Sequence, residues 1–135
     1  MKKQLSISKT GKYSQIGKCS KKINNVWIVL HGSGMLSEYF VKKFECIINE
    51  TTLVIAPEAT NRFYLGNNYT RVGASWMTKL DREQEISDNI LFFDKLFSII
   101  KKEIGHNKFK LNTLGFSQGG PTLVRWLMSN KLNIV

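Results

Sequence analysis

Proline and cysteine are scarce in this chain, with 2 of each among 135 residues. Cys19 and Cys46 are too few for a disulfide framework and form no CxxC pair for metal or redox work, which suits a reducing compartment. Long apolar runs are absent too. The longest strongly apolar stretch, Val26 to Leu30, has the length of a strand and falls far short of the roughly 18 residues a membrane span needs. Lys2 and Lys3 are followed by no apolar segment and no small-residue cleavage site, so no secretory signal is expected and the cytoplasm is the expected location. Acidic residues are missing from the first 37 positions, which hold seven Lys, while all ten Asp and Glu lie from Glu38 onward. The resulting net charge of +10 rests on 16 Lys and 4 Arg. They are scattered among Ser, Asn and Gly without interleaved aromatics or a nucleic-acid fold signature. A lysine-rich solvated surface is therefore expected, and no nucleic-acid partner.

What is present is the composition of one globular domain, 42% hydrophobic and 22% charged. Leu5 and Ile7 alternate with polar residues over Gln4 to Lys9, Thr10-Gly11 supplies a turn, and Lys12 to Ile16 can return. An amino-terminal hairpin and connector are thus expected over residues 1–25, followed by a strand and helix core over 26–135. Val26 to Leu30 reads as a strand buried on both faces that empties into His31-Gly32-Ser33-Gly34. Ser37 is placed to cap a helix reaching about Asn49, and Thr52 to Ala56 is a second buried strand. No period is visible from Pro57 to Leu80. Asp81 is the expected N-cap of a long helix with Ile86, Ile90, Phe93, Phe97, Ile100 and Ile104 on one face, closed by Gly105. Phe109 to Leu114 is a third buried strand, and Thr122 to Asn130 a helix carrying Leu123, Trp126 and Leu127.

Strands alternating with helices predict an α/β fold, a three-layer sandwich around a mainly parallel central sheet. In such sheets ligands gather where the carboxyl ends of strands meet their loops. The segments His31 to Met35, Pro57 to Leu80 and Phe116 to Gln118 each follow a strand's carboxyl end, so they should share one rim. Gly115-Phe116-Ser117-Gln118-Gly119 is a GxSxG. A chance pentad is not rare in a chain rich in glycine and serine, but this one lies between a predicted buried strand and a helix, the setting a nucleophile elbow requires. Ser117 is then the candidate nucleophile, flanked by Gly115 and Gly119 because the turn is tight. A tetrahedral oxyanion needs two backbone N–H donors. Gln118 offers one, and the loop His31-Gly32-Ser33-Gly34 offers the other at Ser33. A dinucleotide turn is disfavoured because Ser37 stands where the third glycine of GxGxxG belongs, and no phosphate-binding GxxxxGK[ST] exists.

With these residues in place the sequence resembles the α/β-hydrolase superfamily, specifically the phospholipase/carboxylesterase/thioesterase group of small serine esterases. The resemblance runs from Val26 over nearly the whole chain: VWIVLHGSG is similar to the oxyanion strand and loop, LVIAPEA to the next strand, and LGFSQGG to the elbow. The stretch from Arg62 to Leu65 with Arg71 to Met77 resembles a bacterial branch in which a Ser-Trp segment follows the second strand. The resemblance implies Ser117 as nucleophile, Gln118 and Ser33 as oxyanion donors, and His31 shaping the loop without acting as base. It also implies hydrolysis of carboxylic esters or thioesters through an acyl-enzyme.

The resemblance stops at the rest of the triad, which in this fold follows the serine as Asp or Glu and then His. The 18 residues after Ser117 contain none of these. His106 precedes the elbow strand and should lie about 20 Å away at its other end, and Asp81, Asp88 and Asp94 belong to a helix cap and exposed helix faces. The expectation is therefore an α/β-hydrolase domain truncated at its carboxyl end, weakly active or inactive alone. Its last helix should leave Trp126 and Leu127 partly exposed and invite self-association. Phe63, Tyr64, Trp76 and Met77 are the expected lining of an acyl or aryl pocket, with Arg62 and Arg71 available to an anionic leaving group. The expected partner is a small acyl ester or thioester. No metal site is expected, since the two histidines have no i+4 partner, and no cofactor motif is present. A non-catalytic binding protein on the same fold and a serine acyltransferase are the rival readings.

Overall fold

The computed structural model describes residues 1–129. A four-stranded sheet forms the centre, built from β1 (Tyr13–Ile16), β2 (Asn25–Leu30), β3 (Thr52–Pro57) and β6 (Lys110–Gly115) in the order β1-β3-β2-β6. β3, β2 and β6 are parallel, and β1 joins β3 antiparallel with Tyr13 opposite Pro57. After their first residues, Asn25 and Thr52, the two central strands are apolar and alternate between two cores. Val26, Ile28, Leu30, Leu53 and Ile55 face one core, while Val29, Val54 and Ala56 face the other. A strand covered on both sides has no polar face to show, which is why both runs read as unbroken apolar sequence.

Helices cover the two faces unequally. On one side lies α1 (Ser37–Phe40) with the 3₁₀ helix Val41–Ile47 that continues it. On the other lie α2 (Arg82–Ile104) and α3 (Gly119–Ser129). The chain goes from β2 to β3 by one face, then crosses to β6, on the far side of β2, by the other. The crevice between the carboxyl ends of β2 and β6 is thus the point where strand order reverses, the usual ligand position in an open α/β sheet. Among the described residues no helix is long and apolar enough to cross a membrane.

Several expectations are corrected. There is no amino-terminal hairpin: residues 4–9 form no strand, and Leu5 and Ile7 are 82% and 80% exposed. Their alternation finds no layer to bury against, while β1 pairs across the molecule with β3. The helix foreseen from Ser37 to Asn49 is one α-turn followed by 3₁₀ structure, because the apolar residues Val41, Phe44 and Ile47 recur every three positions. A helix of three residues per turn keeps them on one row against the sheet. The stretch without period contains a hairpin, β4 (Asn61–Leu65) and β5 (Arg71–Ser75), a second sheet whose strands alternate poorly because β4 is largely exposed.

The long helix is where it was foreseen, but Asp81 does not cap it. Asp81 takes φ 53° and its side chain makes no cap bond. Glu85 instead holds the preceding segment, accepting from the Thr78 N–H at 2.9 Å and from the Asn61 amide. Gly105, at φ 88°, ends the helix by donating its N–H to the Lys101 carbonyl. β6 is an edge strand among the described residues and only partly buried. α3 starts at Gly119, three residues ahead of Thr122, because Pro121 falls in its first turn where no N–H is missed.

The exposure foreseen for the last helix is half wrong. Leu127 is partly buried and Trp126 wholly so, since α3 folds back on α2 and sets the indole between Phe93 and Phe97, at ring distances of 5.6 and 6.1 Å. Its Nε1–H donates to Asp94 at 2.9 Å, so that carboxylate is bound and not merely solvated. Trp126→Ala should cost about 3–5 kcal/mol and Asp94→Ala about 1 kcal/mol, read as urea denaturation midpoints. A smaller loss for the tryptophan would mean α3 does not depend on this anchor.

Candidate active site

β6 hands the chain to a turn of three residues, Phe116 to Gln118, that runs straight into α3. Ser117 has φ 52°, in the left-handed region that costs a residue with a Cβ about 1–2 kcal/mol. Three backbone bonds of 2.9 Å hold it there: Phe116 N–H to the Leu30 carbonyl, Gly119 N–H to that of Phe116, and Gly120 N–H to that of Ser117. The flanking glycines are steric requirements. A Cβ on Gly115 would lie 2.5 Å from the Gly119 oxygen, and one on Gly119 would run into the Leu30 carbonyl and reach 2.7 Å from that of His31. The result lifts an exposed Ser117 side chain above the sheet edge at the start of a helix.

The loop after β2 stands directly opposite. A Cβ built on Gly32 would be 3.3 Å from Ser117 Cβ and 3.1 Å from the Phe116 ring. Gly34, at φ 82°, donates its N–H to the Ala74 carbonyl at 2.8 Å, and Ala74 returns its own to Met35 at 3.1 Å. β5 therefore braces this loop from behind, so closely that a Cβ on Gly73 would meet the Gly34 oxygen at 2.5 Å. Among the described residues the backbone N–H groups of Ser33 and Gln118 donate to no protein acceptor. One belongs to the residue after the serine, at the positive end of α3, and the other to the facing loop, the provision a developing oxyanion needs.

Beneath the crevice lies a polar network with every member paired. His31 is fully buried, its Nδ1 bonded to the Gly32 carbonyl at 2.7 Å and its Nε2 accepting the Ala59 N–H at 3.0 Å. That pattern places the proton on Nδ1. Burial lowers the imidazole from its ordinary value of 6.5, outweighing the Gly32 carbonyl and Glu58, which act in the opposite sense. The ring stacks on Trp76 at 5.0 Å, and the Trp76 indole donates to the His31 carbonyl at 2.8 Å. The Gln118 side chain joins this layer to the elbow: its oxygen accepts the Trp76 N–H at 2.9 Å and its amide donates to the Met77 carbonyl at 2.8 Å. Asn89 of α2 closes the set on the Trp76 carbonyl.

Both ring nitrogens of His31 are thus committed, which fits a shaping role and leaves it no hand free as a base. His106 is committed as well, to the Lys21 carbonyl and the Lys108 N–H, at the amino end of β6 away from Ser117. Asp81, Asp88 and Asp94 are exposed on α2 or just before it. No described group of three His, Cys, Asp or Glu is placed to hold a metal ion.

The residues foreseen as a pocket lining do not wall the cleft beside the glycine loop. That cleft, of about 610 Å³, opens between Gly34, Met35, Leu36 and Phe40 on one side and Leu65 and Val72 on the other. Phe63, Tyr64, Trp76 and Met77 lie outside it. Trp76 is wholly buried as scaffold, and Met77 is held by Gln118 and by the Arg125 guanidinium. Phe63 and Tyr64 are consecutive on β4 and so project to opposite faces, Tyr64 meeting Tyr69 edge-on at 5.3 Å. Arg62 is also diverted, forming two bonds of 3.0 and 2.7 Å to Glu58.

Glu58 is the site residue that sequence reasoning missed. Its carboxylate ties the start of α1 to β4 by accepting Ser37 N–H, Ser37 Oγ–H and Arg62 together. Burial alone would raise its pKa, but the Arg62 and Ser37 hydrogen bonds win and hold it below the ordinary 4.5. The signal was an acid placed directly after a fully apolar strand, with an arginine four residues on.

These two groups are expected to contribute to the acid response. His31 is depressed when folded, so its contribution is complete above about 6.5 and lost as pH falls from there toward its folded value. Glu58 follows lower down, contributing above about 4.5 and losing it as pH drops through its folded value. Glu58→Gln should cost about 2 kcal/mol at neutral pH and flatten the lower step, while His31→Gln should flatten the upper one, both read from urea midpoints across pH. Unchanged profiles would mean neither group is linked to folding. Compared with protein-family models and with curated proteins, the chain matches none.

Proposed function

We propose that this chain carries the nucleophile and oxyanion donors of a serine hydrolase acting on carboxylic esters or thioesters through an acyl-enzyme, on an α/β-hydrolase architecture. The observation that carries the reading is the left-handed Ser117 at the β6–α3 turn, with the Gly32 loop within van der Waals reach and two uncommitted backbone N–H groups on the flanking residues. Tyr69 and Asp81 take a similar φ, but Ser117 alone of the three stands between a strand and a helix, the setting a nucleophile elbow requires. In the proposed step, Ser117 Oγ attacks the acyl carbonyl and passes its proton to a base from solvent, such as water or added imidazole, which returns a proton to the departing alcohol or thiol. The carbonyl oxygen takes negative charge facing Gln118 and Ser33 N–H, and collapse expels the alcohol or thiol. Water repeats the sequence on the acyl-serine and releases the acid.

Neither described histidine is free to take that proton, because His31 and His106 are both hydrogen-bonded at each nitrogen. General base assistance is worth about 10²–10⁴-fold, so this chain alone should turn over an activated ester only slowly. The same observation supports the second reading, a binding protein that keeps the pocket without catalysis. Added imidazole separates the two. With nitrophenyl acetate, imidazole should promote hydrolysis by the native chain beyond its background reaction, and Ser117→Ala should abolish that increment. An increment equal in both proteins would remove the hydrolase reading, and fast Ser117-dependent turnover without imidazole would show that a base is already present.

A further inference from the structure

The cleft beside the glycine loop has an uneven charge. Beyond its apolar walls it is lined by Tyr39, Lys43, Thr70 and Arg71, and no carboxylate lines it. Lys43, on the 3₁₀ helix, and Arg71, at the start of β5, form no ion pair among the described residues, whose three salt bridges involve other groups. Glu58 is occupied by Arg62 and Ser37, and Glu38 is exposed outside the lining. Apolar walls beside the reacting end and unpaired cations elsewhere in the lining are the provision for an amphipathic anion.

Ser117 is not in the lining of the cleft, but the glycine loop links the two. The cleft wall includes Gly34 and Met35, and Met35 Sδ lies 3.4 Å from the same Gly32 Cβ position that is 3.3 Å from Ser117 Cβ. Phe40, on the same wall, lies 6.3 Å from the Phe116 ring. We infer that the cleft binds the acyl part of the substrate and selects acyl groups that end in a carboxylate, with Lys43 and Arg71 holding that carboxylate. This rests on the reading of Ser117 as nucleophile, and it gives Arg71 an acyl-side role where the sequence suggested a leaving-group contact.

The test has a binding arm independent of turnover. Glutarate, titrated into the isotope-labelled chain, should shift the backbone amide signals of Lys43, Arg71 and Val72 saturably, and the neutral diamide of the same length should bind about 10-fold more weakly or less. Lys43→Gln with Arg71→Gln should abolish the difference, while Lys101→Gln with Lys102→Gln, cations on the far end of α2, should keep it. In the kinetic arm, imidazole-promoted hydrolysis of the nitrophenyl half-ester of glutaric acid should exceed that of nitrophenyl valerate by about 10-fold in kcat/KM, and the Lys43/Arg71 double variant should level the two. Equal binding of diacid and diamide, or discrimination that survives the double variant, overturns the inference. If that happens while Ser117-dependent turnover persists, the hydrolase reading stands. Glutarate discrimination without any Ser117-dependent turnover supports the anion site and removes the reading that makes it an acyl pocket.

Discussion

The site depends on one contact between two stretches of backbone, the seating of Gly119 against the Leu30 and His31 carbonyls at the end of β2. No side chain fits between them, so α3 begins in direct touch with the strand that carries the facing loop. That approach fixes the distance from Ser117 to Gly32, and it lets Phe116 N–H reach the Leu30 carbonyl as a last rung of the ladder between β2 and β6. The left-handed turn at Ser117 is a consequence. A chain that must leave an edge strand and enter a packed helix within three residues has few other paths.

Strain of that kind persists only where the surroundings over-determine it. Here the surroundings are the layer of His31, Trp76, Gln118 and Asn89, which ties β2, β5, α2 and the elbow together. Among the described residues no buried side-chain nitrogen or oxygen is left without a hydrogen bond. A fully satisfied buried network fixes relative positions more sharply than apolar packing, because slipping any member strands a polar group in a low dielectric. Gln118 thus serves twice: its side chain anchors the Trp76 segment while its backbone N–H, at the start of a helix, is left without a protein acceptor. His31 keeps its loop in shape by hydrogen-bonding through both ring nitrogens, which leaves no lone pair free for a base to use.

Glu58 extends the same logic to the other side of the rim. Its carboxylate gathers Ser37, at the start of α1, and Arg62, on β4, and so sets the two walls of the cleft relative to each other. Pairing Arg62 inward also leaves Lys43 and Arg71 as the cations of the cleft. The charge a ligand would meet is therefore decided by which arginine the buried acid recruits.

The sequence by itself determined the elements whose pattern is set by a single nearby layer. Val26 to Leu30 and Thr52 to Ala56 are strands buried on both faces, α2 carries a stripe of helical period, and the pentad around Ser117 joins strand to helix where two glycines admit no Cβ. Tertiary structure decided the rest, because it turns on partners distant in the chain. The alternation of Leu5 and Ile7 was a true local signal with nothing to cover it, whereas β4 and β5 alternate poorly and pair all the same. Trp126 reads equally well as exposed or buried until α3 meets Phe93 and Phe97. Trp76, counted as a pocket wall, became scaffold because its indole and amide found His31 and Gln118. Local pattern reports which face of a segment avoids water, but which neighbour answers that need is a non-local choice, and the wall of the crevice was built by such choices.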